Sequence, residues 1–230
     1  IAWRNYKNHK LYSFINVFGL AVGFSACIII SLWVQREVNY DRFHTKSHRI
    51  YRIERELFRD NLFSRWPITG RLYKQALIND YPEIEEAVRF WRKEFAINDC
   101  RNEIHREELF AVDNSIFTIF DFHLIRGDEE PVLQDPATVV ITMGKAEKLC
   151  GTKDALGQTL IFEWEGKPRD FKITGILEEV PENSHIHFDM LISMATYEGT
   201  PINDWRSNYL YTYVLVSKNT PKTSYETPGV

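Results

Sequence analysis

A chain of 230 residues is long enough to bury a substantial core, as one large domain or two small ones. Its 44% hydrophobic and 26% charged residues, with no Gly, Ser or Pro tract, exclude a disordered or fibrous protein. Residues 1–35 carry Arg4, Lys7 and Lys10 and no acid, so the remainder holds all 32 acids and 25 of the 28 bases, a net negative charge that argues against nucleic acid as a partner.

Leu11 to Val34 contains no charged residue. A helix needs about 20 apolar residues to cross the hydrocarbon core, so this run predicts a transmembrane span. A buried core helix would show a polar stripe. A cleaved signal peptide would have a shorter apolar core followed by a small-residue cleavage site, whereas this run ends in Trp33, Gln35, Arg36 and Glu37. Arg4, Lys7 and Lys10 precede the span and predict a cytoplasmic N-terminal side, with the rest of the chain outside. Tyr12 and Trp33 stand where interfacial aromatic anchors belong. Gly19 and Gly23 form a GxxxG, followed by Ser25, Ala26 and Cys27, which predicts close packing against another helix.

The helix is expected to run on through Arg36 to Asn39. Ile50 to Leu57 alternates apolar and polar residues and predicts a half-buried strand. A loop with Pro67 and Gly70 follows, then a helix over Arg71 to Asp80, limited by Pro82. Val88 to Ile97 and Glu103 to Val112 predict two strands separated by Asn98, Asp99 and Asn102. Ser115 to Phe122 predicts a short helix opened by Asp113 and Asn114 as caps, and Gly127 and Asp128 a turn. Thr138 to Thr142 predicts a strand, and Lys145 to Cys150 a helix stopped at Gly151. Thr159 to Trp164 and Phe171 to Val180 predict a hairpin, with His187 to Met194 and Leu210 to Val216 as the last strands. The class is α+β with a mostly antiparallel or mixed sheet behind one N-terminal transmembrane helix. The boundaries expected are 1–38 for the basic segment and span, 39–217 for the outer domain, and 218–230 for an irregular tail. The chain begins without Met and reads as a piece of a longer protein.

The chemical motifs are weak. Gly151 to Thr159 (GTKDALGQT) has five residues between its glycines and Gln158 where a phosphate loop needs Lys, so it does not predict nucleotide binding. His185, His187 and Asp189 alternate along an expected strand and could converge on Zn²⁺, but no further ligands present themselves, and a polar strand edge is the favoured reading. Cys100 and Cys150 are expected to be two unpaired, partly buried thiols, although an oxidising compartment would permit a bridge. Glu54, Glu56, Glu85 and Glu86 read as solvated faces rather than an acid/base pair, and Phe90, Trp91 and Phe95 as core. No catalytic triad or cofactor motif stands out, so the chain reads as a non-enzyme without a cofactor or metal.

Five stretches together resemble the N-terminal part of ABC-transporter permeases of the MacB/FtsX/LolC type. They are Trp3-Arg4-Asn5 through Asn16 into Gly19-Leu20-Ala21-Val22-Gly23; Tyr40-Asp41-Arg42-Phe43-His44 with Arg49-Ile50-Tyr51-Arg52; Val139-Val140-Ile141-Thr142 through Ala146, Lys148 and Leu149 to Gly151 and Gly157-Gln158-Thr159-Leu160; Ile173-Thr174-Gly175-Ile176-Leu177 with Val180-Pro181-Glu182-Asn183-Ser184-His185; and the aromatic strand from Tyr209 to Leu215. The resemblance implies a first transmembrane helix and a mixed α/β MacB-like periplasmic core domain in the bacterial inner membrane. It further implies a second permease copy or paralogue, a separate or fused ABC ATPase subunit that hydrolyses ATP, and an outer-membrane or periplasmic partner. The periplasmic domain would transmit ATP-driven motion to export or extract a substrate. It would have two lobes, with residues 46–98 membrane-proximal and 100–190 inserted. The competing reading is a membrane-anchored sensor or binding domain, distinguished by whether three more spans or a cytoplasmic signalling domain follow residue 230.

Overall fold

The computed structural model describes residues 10–59, 62–197, 205, 208–218 and 220. The irregular tail expected from residue 218 therefore lies almost wholly outside the described residues. Two units divide the chain, Ile1–Arg42 and Phe43–Val230.

The first unit is helix α1, Lys10–Val38. At 1.5 Å per residue it is about 43 Å long, more than the roughly 30 Å of a hydrocarbon core. Within Phe14–Val38 the most apolar 18 consecutive residues have a mean hydropathy of 2.3, and the described side chains along α1 are exposed. The sequence leaves no polar stripe to lay against solvent, so the helix suits lipid on all sides.

In the second unit the strands are β1 Ile50–Arg52, β2 Arg55–Arg59, β3 Leu62–Trp66, β4 Ile84–Asn98, β5 Ile104–Val112, β6 Leu124–Arg126, β7 Thr138–Thr142, β8 Thr159–Trp164, β9 Lys167–Leu177, β10 Met190–Ser193 and β11 Tyr211–Val216. The helices are α2 Tyr73–Asp80, α3 Ile116–Ile119 and α4 Met143–Cys150. Six of the strands close on themselves. β4 pairs β5, β5 pairs β10, β10 pairs β7, β7 pairs β9, β9 pairs β8, and β8 returns to β4 through Ile97–Phe162 and Asn98–Ile161. Alternate residues of each strand point inward: Leu109 and Ala111, Val139 and Ile141, Leu160 and Phe162, Phe171 and Ile173, Met190 and Ile192 form one buried cluster with Ile97. The barrel is thus filled by side chains and is not a pore.

β4 is long enough to serve two structures. Beyond the barrel its first half carries β11 and then β1, with Ile50 opposite Leu215. One face of this extension, through Val88, Phe90, Tyr213 and Leu215, packs against α3, Phe120 and Phe122. The other face, through Ala87, Val214 and Val216, meets Leu77 and Ile78 of α2.

Several elements depart from the sequence expectation. The single strand expected over Ile50 to Leu57 is two strands in two sheets: β1 joins β11, while β2 pairs only β3 in a separate hairpin. A period-2 pattern continues across both because each strand has one wet face. Asp113 and Asn114 make no side-chain cap on α3. Asp113 is held by Arg89, and the Asn114 amide donates to the carbonyls of Glu129 and Glu130 while its oxygen accepts the Leu133 N–H. β9 begins at Lys167, because Glu165 and Gly166 both take positive φ (51° and 76°) and make a two-residue turn that leaves no room for a longer loop. Thr138–Thr142 and the Gly151 stop (φ 69°) lie where the sequence places them.

Candidate functional site

The segment that enters the second unit, Phe43 to Arg52, is gripped along its length. His44 is 2% exposed and lies edge-on to Phe120 and Phe122, with ring centroids 5.0 and 5.2 Å away. Its Nδ1 accepts the Asp121 N–H at 3.0 Å, which places the ring proton on Nε2 when the ring is neutral. The Thr45 hydroxyl donates to the Asp121 carboxylate at 2.9 Å, and the Lys46 ammonium donates to the Thr118 carbonyl at 2.6 Å. The Arg49 guanidinium, largely buried, donates through both terminal nitrogens to the Glu85 carboxylate at 3.2 Å each. This fork-to-fork geometry fixes direction as well as distance. β1 then pairs with β11 over Ile50–Arg52. The incoming chain is therefore tied to α3, to β4 and to β11 before it has run ten residues.

A buried charge cluster braces the same strands. Arg89 on β4 donates to both oxygens of Asp113, at 2.6 and 2.9 Å, and Lys74 of α2 lies 3.5 Å from Asp113. Burial alone would raise the Asp113 carboxyl, but the hydrogen bonds and charge of Arg89, with Lys74 behind it, hold it below the usual carboxylate range. At one end of the barrel Lys145 of α4, 6% exposed, donates to Glu107 at 2.5 Å and stands 3.7 Å from Asp189. There too desolvation opposes ionisation of Glu107, and Lys145 and Lys148 overcome it. The opposite end is closed by aromatic rings: Trp91, Trp164, Tyr197 and Tyr209 pack with tilted planes at centroid distances of 4.4 to 4.7 Å, with the Lys93 ammonium 3.7 Å over Trp91. Burial lowers the Lys93 pKa from its ordinary value.

Among the described residues, two of the surface grooves bear on the strands above. One, of about 630 Å³, has Phe90, Phe110, Tyr211 and Tyr213 on its floor and Arg52, Arg92, His185 and His187 around it. The other, of about 550 Å³, lies between α2, β11 and the β2–β3 hairpin.

The sequence candidates fall as follows. Gly19 and Gly23 lie one turn apart on α1, and a Cβ added to either would meet nothing within 4 Å. Lys10 is the first residue of α1; Arg4 and Lys7 lie outside the described residues. His185, His187 and Asp189 do not sit on a strand, since β10 begins at Met190, and they diverge in use: the His185 Nε2 meets the Tyr213 hydroxyl at 3.0 Å while Asp189 faces Lys145. Among the described residues, Asp99, Glu103 and His105 offer ligand atoms close together. Asp99 is already occupied, accepting from the Arg101 and Glu103 N–H groups and meeting His105 at 3.1 Å, so it stabilises the β4–β5 turn. Each of the four glutamates considered as solvated faces has a cation: Arg52 for Glu54, Arg65 for Glu56, Arg49 for Glu85 and Lys74 for Glu86. Phe90 is core, in the cluster with Phe120 and Tyr213, and Trp91 and Phe95 pack half-buried against the separate cluster inside the barrel. Gly157, in the loop that superficially resembles a phosphate loop, sits at φ 82° and donates its N–H to Ile173, turning the chain into β8.

The expectation of two unpaired thiols is overturned: Cys100 and Cys150 form a disulfide, their Cα atoms 4.8 Å apart. Their separation of 50 residues hides that both stand at the same end of the barrel, one in the β4–β5 turn and the other at the end of α4. Sequence reasoning also gave no role to His44, Asp121, Arg89 or Lys145. The available signal was an ionisable residue embedded among apolar neighbours, as in Phe43-His44 and Val88-Arg89-Phe90.

A sequence model of the MacB-like periplasmic core domain matches residues 13–225. No curated protein sequence matches the chain. A crystallised domain of a protein assigned as a permease, from Porphyromonas gingivalis, superposes with a TM-score of 0.68 at 22% identity, over 79% of this chain and 78% of that one. The periplasmic region of MacB from Actinobacillus actinomycetemcomitans superposes with a TM-score of 0.52 at 16% identity, over 68% of this chain and 69% of that one. At such identities the solved structures establish the fold, and the sequence match, which runs from within α1 to beyond β11, establishes the family: the chain belongs to the MacB-like periplasmic core domains, carried by ABC-transporter permeases.

Proposed function

We propose that this chain is the part of a permease subunit that carries ATP-driven motion across the bacterial inner membrane to a periplasmic body, and so helps export or extract a substrate across the cell envelope. The observation that carries this reading is the continuous tie from the incoming segment through β1 and β11 to β4, the strand that is also a barrel stave. A displacement applied at Phe43 reaches the barrel through ladder hydrogen bonds and the Arg49–Glu85 fork, with no flexible linker between. ATP hydrolysis belongs in this reading to a partner ABC ATPase subunit, and a second permease copy or paralogue completes the assembly. Gly19 and Gly23 form the face on which α1 packs against a neighbouring helix. Arg4, Lys7 and Lys10 hold the N-terminal side in the cytoplasm, and residues 39–217 form the periplasmic domain. The Cys100–Cys150 bridge supports an oxidising compartment for the second unit.

Co-purification tests the assembly. Full-length protein solubilised from membranes is expected to bring down an ABC ATPase subunit and a second permease chain. Recovery alone, or joined to a cytoplasmic kinase, contradicts the reading and favours an anchored sensor.

A further inference from the structure

We propose that the Cys100–Cys150 disulfide is a latch that pins α4 across one end of the barrel, and that a dithiol can open it without unfolding the barrel. The strands place this end clearly. β4 stops at Asn98, β5 starts at Ile104, β7 stops at Thr142 and β8 starts at Thr159, and the antiparallel and parallel registers bring all four to one rim. α4 follows β7 directly and turns Ala146 and Leu149 into the barrel core. No ladder bond holds it there. Besides the burial of Ala146 and Leu149, its attachments among the described residues include the Lys145–Glu107, Lys148–Glu107 and Lys145–Asp189 pairs, the Arg101 guanidinium donating to the Lys148 carbonyl at 2.7 Å, the Gly144 N–H donating to Glu179, and the disulfide. An eight-residue helix is unstable in water by itself, so its position depends on these ties. The barrel does not: its ladders close without α4.

Both cysteines are half-buried rather than enclosed in the core. The chemistry is thiol–disulfide exchange with a reduced dithiol, such as that of a thiol–disulfide oxidoreductase. A thiolate of the partner attacks one sulfur, the Sγ–Sγ bond breaks, and the leaving thiolate takes a proton. The partner's second thiol then displaces the mixed disulfide, releasing the second cysteine as a thiol. Two electrons pass to Cys100 and Cys150, and the partner becomes the disulfide; the reverse sequence closes the latch.

Cys27, which is not bridged, supplies an internal count. The 230-residue chain in nanodiscs, denatured and titrated with a maleimide, is expected to give one free thiol before reduction and three after dithiothreitol. Hydrogen exchange on the folded protein is then compared with and without dithiothreitol. Residues 143–158 are expected to exchange at least about tenfold faster when reduced, while β4, β5, β7 and β9 stay within about threefold. The double variant Cys100→Ser/Cys150→Ser, unreduced, is expected to match the reduced protein; reduction of the folded wild-type protein decides the matter if that variant fails to fold. Three free thiols before reduction overturn the bridge. Unchanged exchange at 143–158, or loss of protection throughout the barrel, overturns the latch.

Discussion

Replacing Asp113 with Ala tests the buried charge cluster most sharply. The Asp113 side chain is 10% exposed and that of Arg89 12%, so solvent screens the pair little. The change removes three hydrogen bonds that Asp113 accepts from Arg89, two from the guanidinium and one from the backbone N–H, and leaves the guanidinium facing Lys74 without an intervening anion. Removing one partner of a buried pair costs about 3–5 kcal/mol, chiefly because the other charge stays buried. In a unit of this size that lowers the midpoint of thermal unfolding by roughly 6–20 °C. Replacing both partners together, Arg89→Met with Asp113→Leu, removes the stranded charge and is expected to lose no more than about 1.5 kcal/mol. The pH dependence carries the sign of the argument. Asp113 is held below its unfolded value near 3.9, so its contribution is complete above about pH 5 and is lost as pH falls through the folded value. Tryptophan-monitored urea unfolding of the full chain in nanodiscs at pH 7 and pH 4 reads both quantities. A loss below about 1 kcal/mol for Asp113→Ala, or a gap between wild type and variant that widens on acidification, refutes the assignment.

Phe162→Ala, inside the barrel and fully buried, is expected to cost about 3–5 kcal/mol in the same unfolding measurement, whereas Phe58→Ala, 75% exposed on the β2–β3 hairpin, stays within about 0.5 kcal/mol. Gly175→Ala directs its methyl at Val132 Cγ2, 2.6 Å from an added Cβ, and at Leu124 Cδ1, 2.9 Å away, so overpacking of about 1–3 kcal/mol is expected. Gly19→Ile with Gly23→Ile is expected to insert normally, because Ile is well tolerated in lipid, yet to lose co-purification with the ATPase subunit, while Ile29→Leu keeps it. Cysteine labelling from outside intact cells is expected at Asn203→Cys and not at Asn5→Cys.

The sequence was most legible where one physical rule acts alone. The uncharged run from Leu11 to Val34 predicts α1 because only a lipid-facing helix tolerates it, and Thr138–Thr142 followed by Gly151 predicts β7 and the end of α4 from burial and a left-handed stop. It was least legible where long-range pairing decides. Nothing local to Ile50–Leu57 says that Arg52 faces Tyr213 while Leu57 faces Ser64, because both registers satisfy the same alternation. The closure of the barrel rests on two residue pairs between β4 and β8, which no periodicity announces. The disulfide was hidden for the same reason: its geometry is set by where two distant turns meet, and sequence separation does not encode that. The ties on the incoming segment were visible only as a motif, Phe43-His44 through Arg49, whose partners Asp121 and Glu85 lie 77 and 36 residues away.

Whether motion at the membrane reaches the barrel is the claim on which the functional account stands. The direct measurement is the distance between spin labels at Glu163→Cys on the two barrels of the full permease, in a Cys27→Ser background with its ATPase, in nanodiscs with and without ATP. The account predicts a change in barrel-to-barrel distance on adding ATP, and its reduction in Asp121→Ala/Arg49→Met, which removes the carboxylate that accepts from Thr45 and breaks the Arg49–Glu85 fork while leaving the β1–β11 ladder intact and the ATPase subunit bound. The same ATP-dependent shift in both proteins, or none in the wild type, contradicts it.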